Sequence, residues 1–314
     1  MTETLSPPGQ RPKKRDVHGW LILDKPVGMT STHAVAIVKR VFRAKKAGHA
    51  GTLDPLASGC LPIALGEATK TVPYVMDGKK AYRFTVTWGI ETTTDDTEGT
   101  PARTSDQRPS QAEVEAMLPR FTGAILQVPP KFSAIKVDGE RAYDLARDGE
   151  EVELEAREVL IDSLTIVAHD GHSTTLEAEC GKGTYVRAIA RDLGRALGCF
   201  GHVTGLRRTR VGPFLEQQFI PVEDLTRTLP DPVEQEAHIA TLLAPVDRGL
   251  AELSELQVSR HDAARLKRGQ SVILRGRDAP TMLGHVAVVA GHELIAIGEI
   301  DKGELRPHRV FNLA

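Results

Sequence analysis

The sequence predicts a two-domain α+β protein, and three observations carry that reading. The chain has 314 residues, about two domains at ~150 residues each. Two stretches, Tyr82 to Trp88 and Thr175 to Cys180, alternate apolar and polar residues at the period of a half-buried strand, with helical patterns around them. From Ser259 onward the pattern changes to a short helix ending at Gly269 and brief apolar strands at 272–274, 286–290 and 294–297, a small β-rich barrel.

Residues 1–17 read as a flexible, basic, Pro-rich tail. Trp20 to Asp24 is a short apolar strand, turned by Pro26 and Gly28. Ser31 is the expected N-cap of a helix through Phe42, in which Val35, Val38 and Val41 or Phe42 recur at helical spacing. The loop 46–59 (KAGHAGTLDPLASG) holds three glycines and an Asp-Pro step. In the strand at 82–88, Tyr82, Phe84, Val86 and Trp88 share one face. Ser110 and Glu113 form a capping box for a helix that buries Val114, Met117 and Leu118. Residues 127–150, with Pro-Pro and mixed charge, read as an excursion from the sheet. The strand at 175–180 passes through Gly181-Lys182-Gly183 into a helix from Thr184 to Leu197, whose buried face is Val186, Ile189, Ala190, Leu193 and Leu197. Arg187, Arg191 and Arg195 lie four apart on another face, and Gly198 stops the helix. Prolines at 230, 232 and 245 mark a linker.

Composition narrows the function classes. Hydrophobic residues at 40% and charged residues at 26% exclude wholesale disorder. No apolar run approaches the ~18 residues of a membrane span. The basic N-terminus lacks the apolar stretch of a secretory signal, so the expected location is cytoplasmic. Cys60, Cys180 and Cys199 are sparse and contain no C-x-x-C pair, against a disulfide framework or a structural zinc site. The net charge of −2 hides segregation. Residues 11–15, 39–46 and 182–210 are basic, while 91–115 and 148–158 are acidic, so one face could meet a polyanion; the competing reading is a set of solvated helix faces. With 4% aromatics, a multi-base stacking platform is excluded, though one or two stacking residues in a pocket are not.

Within the 46–59 loop, the following proline holds Asp54 in extended backbone, and the glycines at 48, 51 and 59 allow close approach of backbone or ligand. The competing reading is an ordinary Asp-Pro turn. His49 has no partner at metal-ligand spacing, so no metal is expected. Tyr82 has a hydroxyl that needs a polar neighbour. Arg187 follows a Gly-Lys-Gly turn near a helix start, where it could address an anion, although the turn is not a Walker loop.

The stretches GWLILDKPVGMTSTHAV, AKKAGHAGTLDPLASGCLPIALGEATK, KAYRFTVTWG, VPPKFSAIKVDGERAYDLARDG, CGKGTYVRAIARDLGRALGC and HVTGLRRTRVGPF occur in that order over residues 19–215. In them the chain resembles the bacterial tRNA pseudouridine-55 synthases of TruB type, and its last part, ending in GELRPHRVFN, resembles their PUA-like RNA-binding domain. Ala50 stands where many relatives have threonine. The resemblance implies a mixed, mainly antiparallel sheet in a catalytic domain over 18–245, with an RNA-clamping insertion at 127–157 and a linker near 225–245, then a PUA-like β-barrel over 250–314. It implies cofactor-free isomerisation of the TΨC-loop uridine of tRNA; in the residues themselves nothing suggests more than a monomer, or a membrane partner.

It further implies Asp54 as the catalytic aspartate, Arg187 as its pairing partner, and Tyr82 as the residue stacked on the target base. His49 enters the space left by the flipped nucleotide, Leu206 walls the pocket, and Lys25 with Pro26 supports the site. Tyr185, Lys182, Arg207 and Arg208 join them as substrate-binding residues, the cations through phosphate contacts. A carboxylate beside the sugar suits C–N glycosidic cleavage, and the target base must leave its stack to present C5. Two rivals stand beside this reading: a non-catalytic RNA-folding protein, whose role an enzyme of this kind could also share, and a hydrolase that releases free uracil.

Overall fold

The computed structural model describes residues 13–133, 135–137, 140–141, 154–274 and 284–313. Its first sheet runs in the order β14 (Ile220–Pro221), β1 (Gly19–Lys25), β3 (Ser58–Leu65), β12 (Gly201–Val211), β4 (Lys80–Trp88), β11 (Ser173–Cys180), β10 (Arg157–His169), β7 (Gly123–Gln127). Two short strands flank it: β2 (Ala47–His49) pairs with β3, and β13 (Phe214–Leu215) pairs with β12. Only the β1–β14 and β3–β12 pairs are parallel, so the sheet is mixed and mainly antiparallel, as expected. Two hairpins stand apart: β5 (Ile90–Thr92) with β6 (Pro101–Thr104), and β8 (Lys136–Val137) with β9 (Glu140–Arg141).

The alternating strands behave as their sequences require. Phe84, Val86 and Trp88 on β4 are buried against the helix Val186–Ala196. The opposite face carries a cross-strand polar set, Arg83 on Glu177, Thr85 on Thr175 and Thr87 on Thr204. The capping box at Ser110 and Glu113 forms and starts the helix Gln111–Met117. The first helix, Ser31–Val41, differs by one position: Thr30 is its N-cap and accepts from the His33 N–H. Ser31 is freed for another partner, described below.

The prolines near 230 do not mark a loose linker. Pro232 is the first residue of the helix Pro232–Thr241, capped by Asp231, a position where its missing N–H costs nothing. Leu225, in the short helix Val222–Thr226, is 1% exposed in the core below β1. Ala244 then exchanges both backbone hydrogen bonds with Trp20, at 2.8 Å each. At the other end, Arg15 bridges the backbone at 43–45, so the tail is attached from there on; residues 1–12 and, within the 127–157 insertion, 134, 138–139 and 142–153 lie outside the described residues.

The second sheet has the order β15 (Glu255–Gln257), β17 (Gly284–Ala290), β18 (Glu293–Asp301), β19 (Glu304–Val310), β16 (Val272–Ile273). The helix Arg260–Lys267 covers one face through Ala263 and Leu266. Ala287, Val289, Leu294 and Ile297 on the other face join Phe311, Trp20, Ala68 and Phe214 in one cluster. β17 and β18 are therefore covered on both sides, which is why they read as continuous apolar runs. β15 and β19 escape the sequence reading because they are edge-like and polar; most of ELRPHRV is at least partly exposed. Among the described residues no helix is long and apolar enough to cross a membrane.

Because the two sheets share a core, truncation of Phe311, 1% exposed, to alanine is expected to cost ~3–5 kcal/mol and to leave a single urea transition by circular dichroism. Two transitions, the first-sheet signal unchanged, would contradict the shared core.

Candidate active site

The site grows from an irregular loop. Residues 50–57 make little regular structure of their own, so their backbone polar groups need partners from elsewhere. Arg208, 2% exposed on β12, donates from Nε to the Cys60 carbonyl at 2.7 Å, from Nη1 to Thr52 at 3.1 Å and from Nη2 to Gly51 at 3.0 Å. The Ser31 hydroxyl donates to the Leu53 carbonyl and accepts from the Leu53 N–H. Lys25, fully buried, donates from Nζ to Pro26, Met29 and Pro55 carbonyls at 2.9, 2.8 and 3.4 Å. Burial pulls the Lys25 ammonium down from 10.5 to about 8, against the attraction of Asp54.

Glycine is needed where β3 begins. Gly59 sits at φ +97, and a Cβ there would lie 2.3 Å from the Arg208 carbonyl oxygen. Gly51 also has positive φ, whereas at Gly48 nothing approaches and the backbone is ordinary.

Asp54 projects from this loop with its side chain 38% exposed, and its carboxylate lies 3.0 Å from Nη2 of Arg187, whose side chain is 8% exposed. Arg187 spends its other donors on the protein: Nη1 on the Thr94 carbonyl and Asp96, each at 3.2 Å, and Nη2 on the Phe132 carbonyl at 2.9 Å. Asp96 is 1% exposed. The next turns of the same helix repeat the pattern. Arg191 meets Asp95 at 3.1 Å and donates to the Val128 carbonyl at 2.7 Å; Arg195 grips Glu91 through two bonds of 2.7 and 2.8 Å. Burial pushes the Asp95 carboxyl up to about 6 even beside Arg191. Glu91 is held below its ordinary value by the Arg195 fork, in spite of burial.

Of the remaining expected residues, Tyr82 and Tyr185 lie within the field of the carboxylate, whereas Lys182 is paired elsewhere. Tyr82, half-buried on β4, lies opposite Arg208 in register; burial pushes its phenol up, and the fields of Arg208 and Asp54 reach it. Tyr185 caps the Val186–Ala196 helix, and its phenol, raised by burial, feels both Arg187 and Asp54. His49 ends β2 with Nδ1 buried and unpartnered; burial and then Arg208 lower its basicity, keeping the imidazole neutral. Leu206 packs from β12, opposite Phe84, into the two cores on either side. Lys182 is 69% exposed and lies 2.8 Å from Asp77. Among the described residues no group of three or more His, Cys, Asp or Glu could hold a metal ion.

One expectation is corrected here. Arg208 is buried with its donors on backbone carbonyls and offers none of them to a phosphate. Arg207 is partly exposed and ion-paired, bidentate to Asp24 at 2.9 and 3.0 Å and bonded to Glu216 at 2.6 Å, which pushes its guanidinium upward. More generally, the basic run at 182–210 is largely paired inside the protein, and its partners include Glu91, Asp95 and Asp96 from the acidic stretch that the sequence set apart from the site. These acids, Ser31 and Gln127 were missed. Arginines at 187, 191 and 195 facing acids at 91, 95 and 96 carried a signal in their spacing, but the strands between them hid it.

Removing Arg191 strands the buried Asp95 carboxylate. Arg191→Met is expected to destabilise by ~3–5 kcal/mol in urea unfolding, and adding Asp95→Asn to recover part of that loss. Equal stability of the wild type and Arg191→Met would show the pair to be dispensable.

With the geometry in place, comparison with known proteins is direct. Residues 39–186 match the N-terminal domain of the TruB family of pseudouridylate synthases, and residues 187–251 match a tRNA pseudouridylate synthase B C-terminal domain. The tRNA pseudouridine synthase B of Rhodopseudomonas palustris is 61% identical over 305 residues, covering 96% of this chain and 83% of that protein. Its counterpart in Nitrobacter winogradskyi is 61% identical over 306 residues, covering 97% and 85%. Among solved structures, the protein superposes on a chain of a Cbf5-Nop10-Gar1 complex with a TM-score of 0.74 at 25% identity, covering 94% of this chain and 84% of that one. An archaeal box H/ACA Nop10-Cbf5 complex gives 0.72 at 25% identity, covering 94% and 86%. Matched in sequence along nearly its whole length and in fold across both sheets, the chain belongs to the TruB family of pseudouridylate synthases.

Proposed function

We propose that the protein is a tRNA pseudouridine synthase that isomerises the uridine of the TΨC loop. The observation that carries this reading is a partly exposed carboxylate, Asp54, held at 3.0 Å by the buried Arg187 guanidinium, with its field reaching two phenols. Relatives named tRNA pseudouridine synthase B support the choice of tRNA. The reaction breaks the N1–C1′ bond, turns the uracil and forms C5–C1′; the proton on C5 leaves and N1 regains one, so substrate and product are isomers.

Asp54 supplies the carboxylate beside the ribose, either attacking C1′ or removing the C2′ proton. Arg187 fixes its direction, since its guanidinium is itself fixed by Asp96 and two carbonyls. Tyr82 offers a neutral phenol ring against which a flipped base stacks, with Leu206 as an apolar wall. A neutral His49 suits entry into the space that the nucleotide leaves. Exposed cations at Lys182, Arg40, Arg43, Lys45 and Lys46 are the phosphate contacts this reading retains. The second sheet acts as the RNA-binding unit, and the protein works as a cytoplasmic monomer.

Asp54→Asn is expected to abolish tritium release from C5-labelled tRNA while tRNA binding survives; continued release would sink the assignment of Asp54. Lys25 gives a pH dependence. Its folded-state value, about 8, lies below the ordinary 10.5, so its ionisation contributes stability above 10.5 that is lost as pH falls through about 8. The clamp on the Pro55 carbonyl, by contrast, needs the ammonium, present below about 8. The single-turnover rate is expected to fall on the alkaline side with a midpoint near 8, and Lys25→Met to remove that limb; an alkaline limb unchanged in Lys25→Met would show that another group causes it.

A further inference from the structure

We infer that Gln127 is a positioning residue for this reaction, coupling the root of the 127–157 insertion to the Asp54–Arg187 pair; the inference rests on the proposed activity.

Gln127 is the last residue of β7, paired with Arg157 of β10, and is only 2% exposed. Its side-chain amide makes a two-point contact with one backbone residue: Oε1 accepts from the Tyr185 N–H at 2.8 Å, and Nε2 donates to the Tyr185 carbonyl at 3.2 Å. Tyr185 is the N-cap of the Val186–Ala196 helix and has no side-chain cap of its own. Gln127 therefore sets where that helix begins, and Arg187 stands two residues further on. A helix end without such a partner would be free to fray within its first turn.

The chain beyond Gln127 is tied to the same helix. Arg191 donates to the Val128 carbonyl at 2.7 Å and Arg187 to the Phe132 carbonyl at 2.9 Å. Pro129 and Pro130 between them are buried. Segment 127–133 and the first two turns of the helix thus move as one body, and Arg187 belongs both to that body and to the ion pair with Asp54. A shift at the insertion root is passed to the carboxylate through Gln127 and Arg187.

Three proteins test this on an unmodified T-arm stem-loop: wild type, Gln127→Leu and Gln127→Glu. Leucine keeps the bulk and removes both hydrogen bonds. Its single-turnover rate is expected to drop roughly 10²-fold, the effect of a small misplacement at a reacting centre, with RNA affinity unchanged. Glutamate keeps the acceptor for the Tyr185 N–H and lacks the donor, so its rate is expected to lie between the two; it also serves if the leucine variant fails to fold. Exchange of the Tyr185 amide proton, slow in wild type, is expected to be fast in Gln127→Leu and to need no catalysis to be read. A wild-type rate in the leucine variant, or in the glutamate variant where leucine does not fold, overturns the inference, as does a rate loss matched by an equal loss of affinity. A wild type that forms no pseudouridine overturns the proposed activity instead, and the amide exchange then decides the clamp by itself.

Discussion

The ion pair between Arg187 and Asp54 governs the rest of the structure, because one partner is buried and the other is not. A guanidinium keeps its charge, so its burial must be compensated by fixed acceptors. Asp96 and the Thr94 carbonyl, from one turn, and the Phe132 carbonyl, from another segment, supply them. What remains of the guanidinium faces Asp54. The carboxylate thus has one well-oriented neighbour and an open side.

The same logic extends along the helix and around the loop. Arg191 and Arg195 repeat the pairing with Asp95 and Glu91, so the helix is keyed to the β5–β6 region at three successive turns. Around the loop itself, Arg208 and Lys25 use their donors on backbone carbonyls and give an irregular segment the rigidity that a strand would have. Cations here serve mainly as internal fasteners. Those left over on the surface remain available to a polyanion, so a net charge near zero does not exclude an RNA substrate.

Much of this was legible in the chain. Alternation at 82–88 and 175–180 gave two central strands, and the capping box at Ser110 gave a helix start, because both signals are local. The Asp-Pro step in a glycine-rich loop pointed to Asp54. Other readings failed for equally physical reasons. Thr30 and Ser31 are both competent N-caps, and the Leu53 backbone, 22 residues away, selects between them. Pro232 looks like a breaker but starts a helix, since a proline at that position is neutral to it. Arg207 and Arg208 looked like free cations because their partners lie far off in sequence, Glu216 excepted.

By itself, then, the sequence determined the local elements, the loop bearing Asp54 and the kinship that names its partner Arg187. Each of these depends on neighbouring residues or on motifs read in order. Only the tertiary structure decided which charges are spent. Whether an arginine meets a phosphate or an aspartate depends on what the fold brings within about 3 Å, and for Arg187, Arg191, Arg195 and Arg208 the answer lies on strands and loops tens of residues distant.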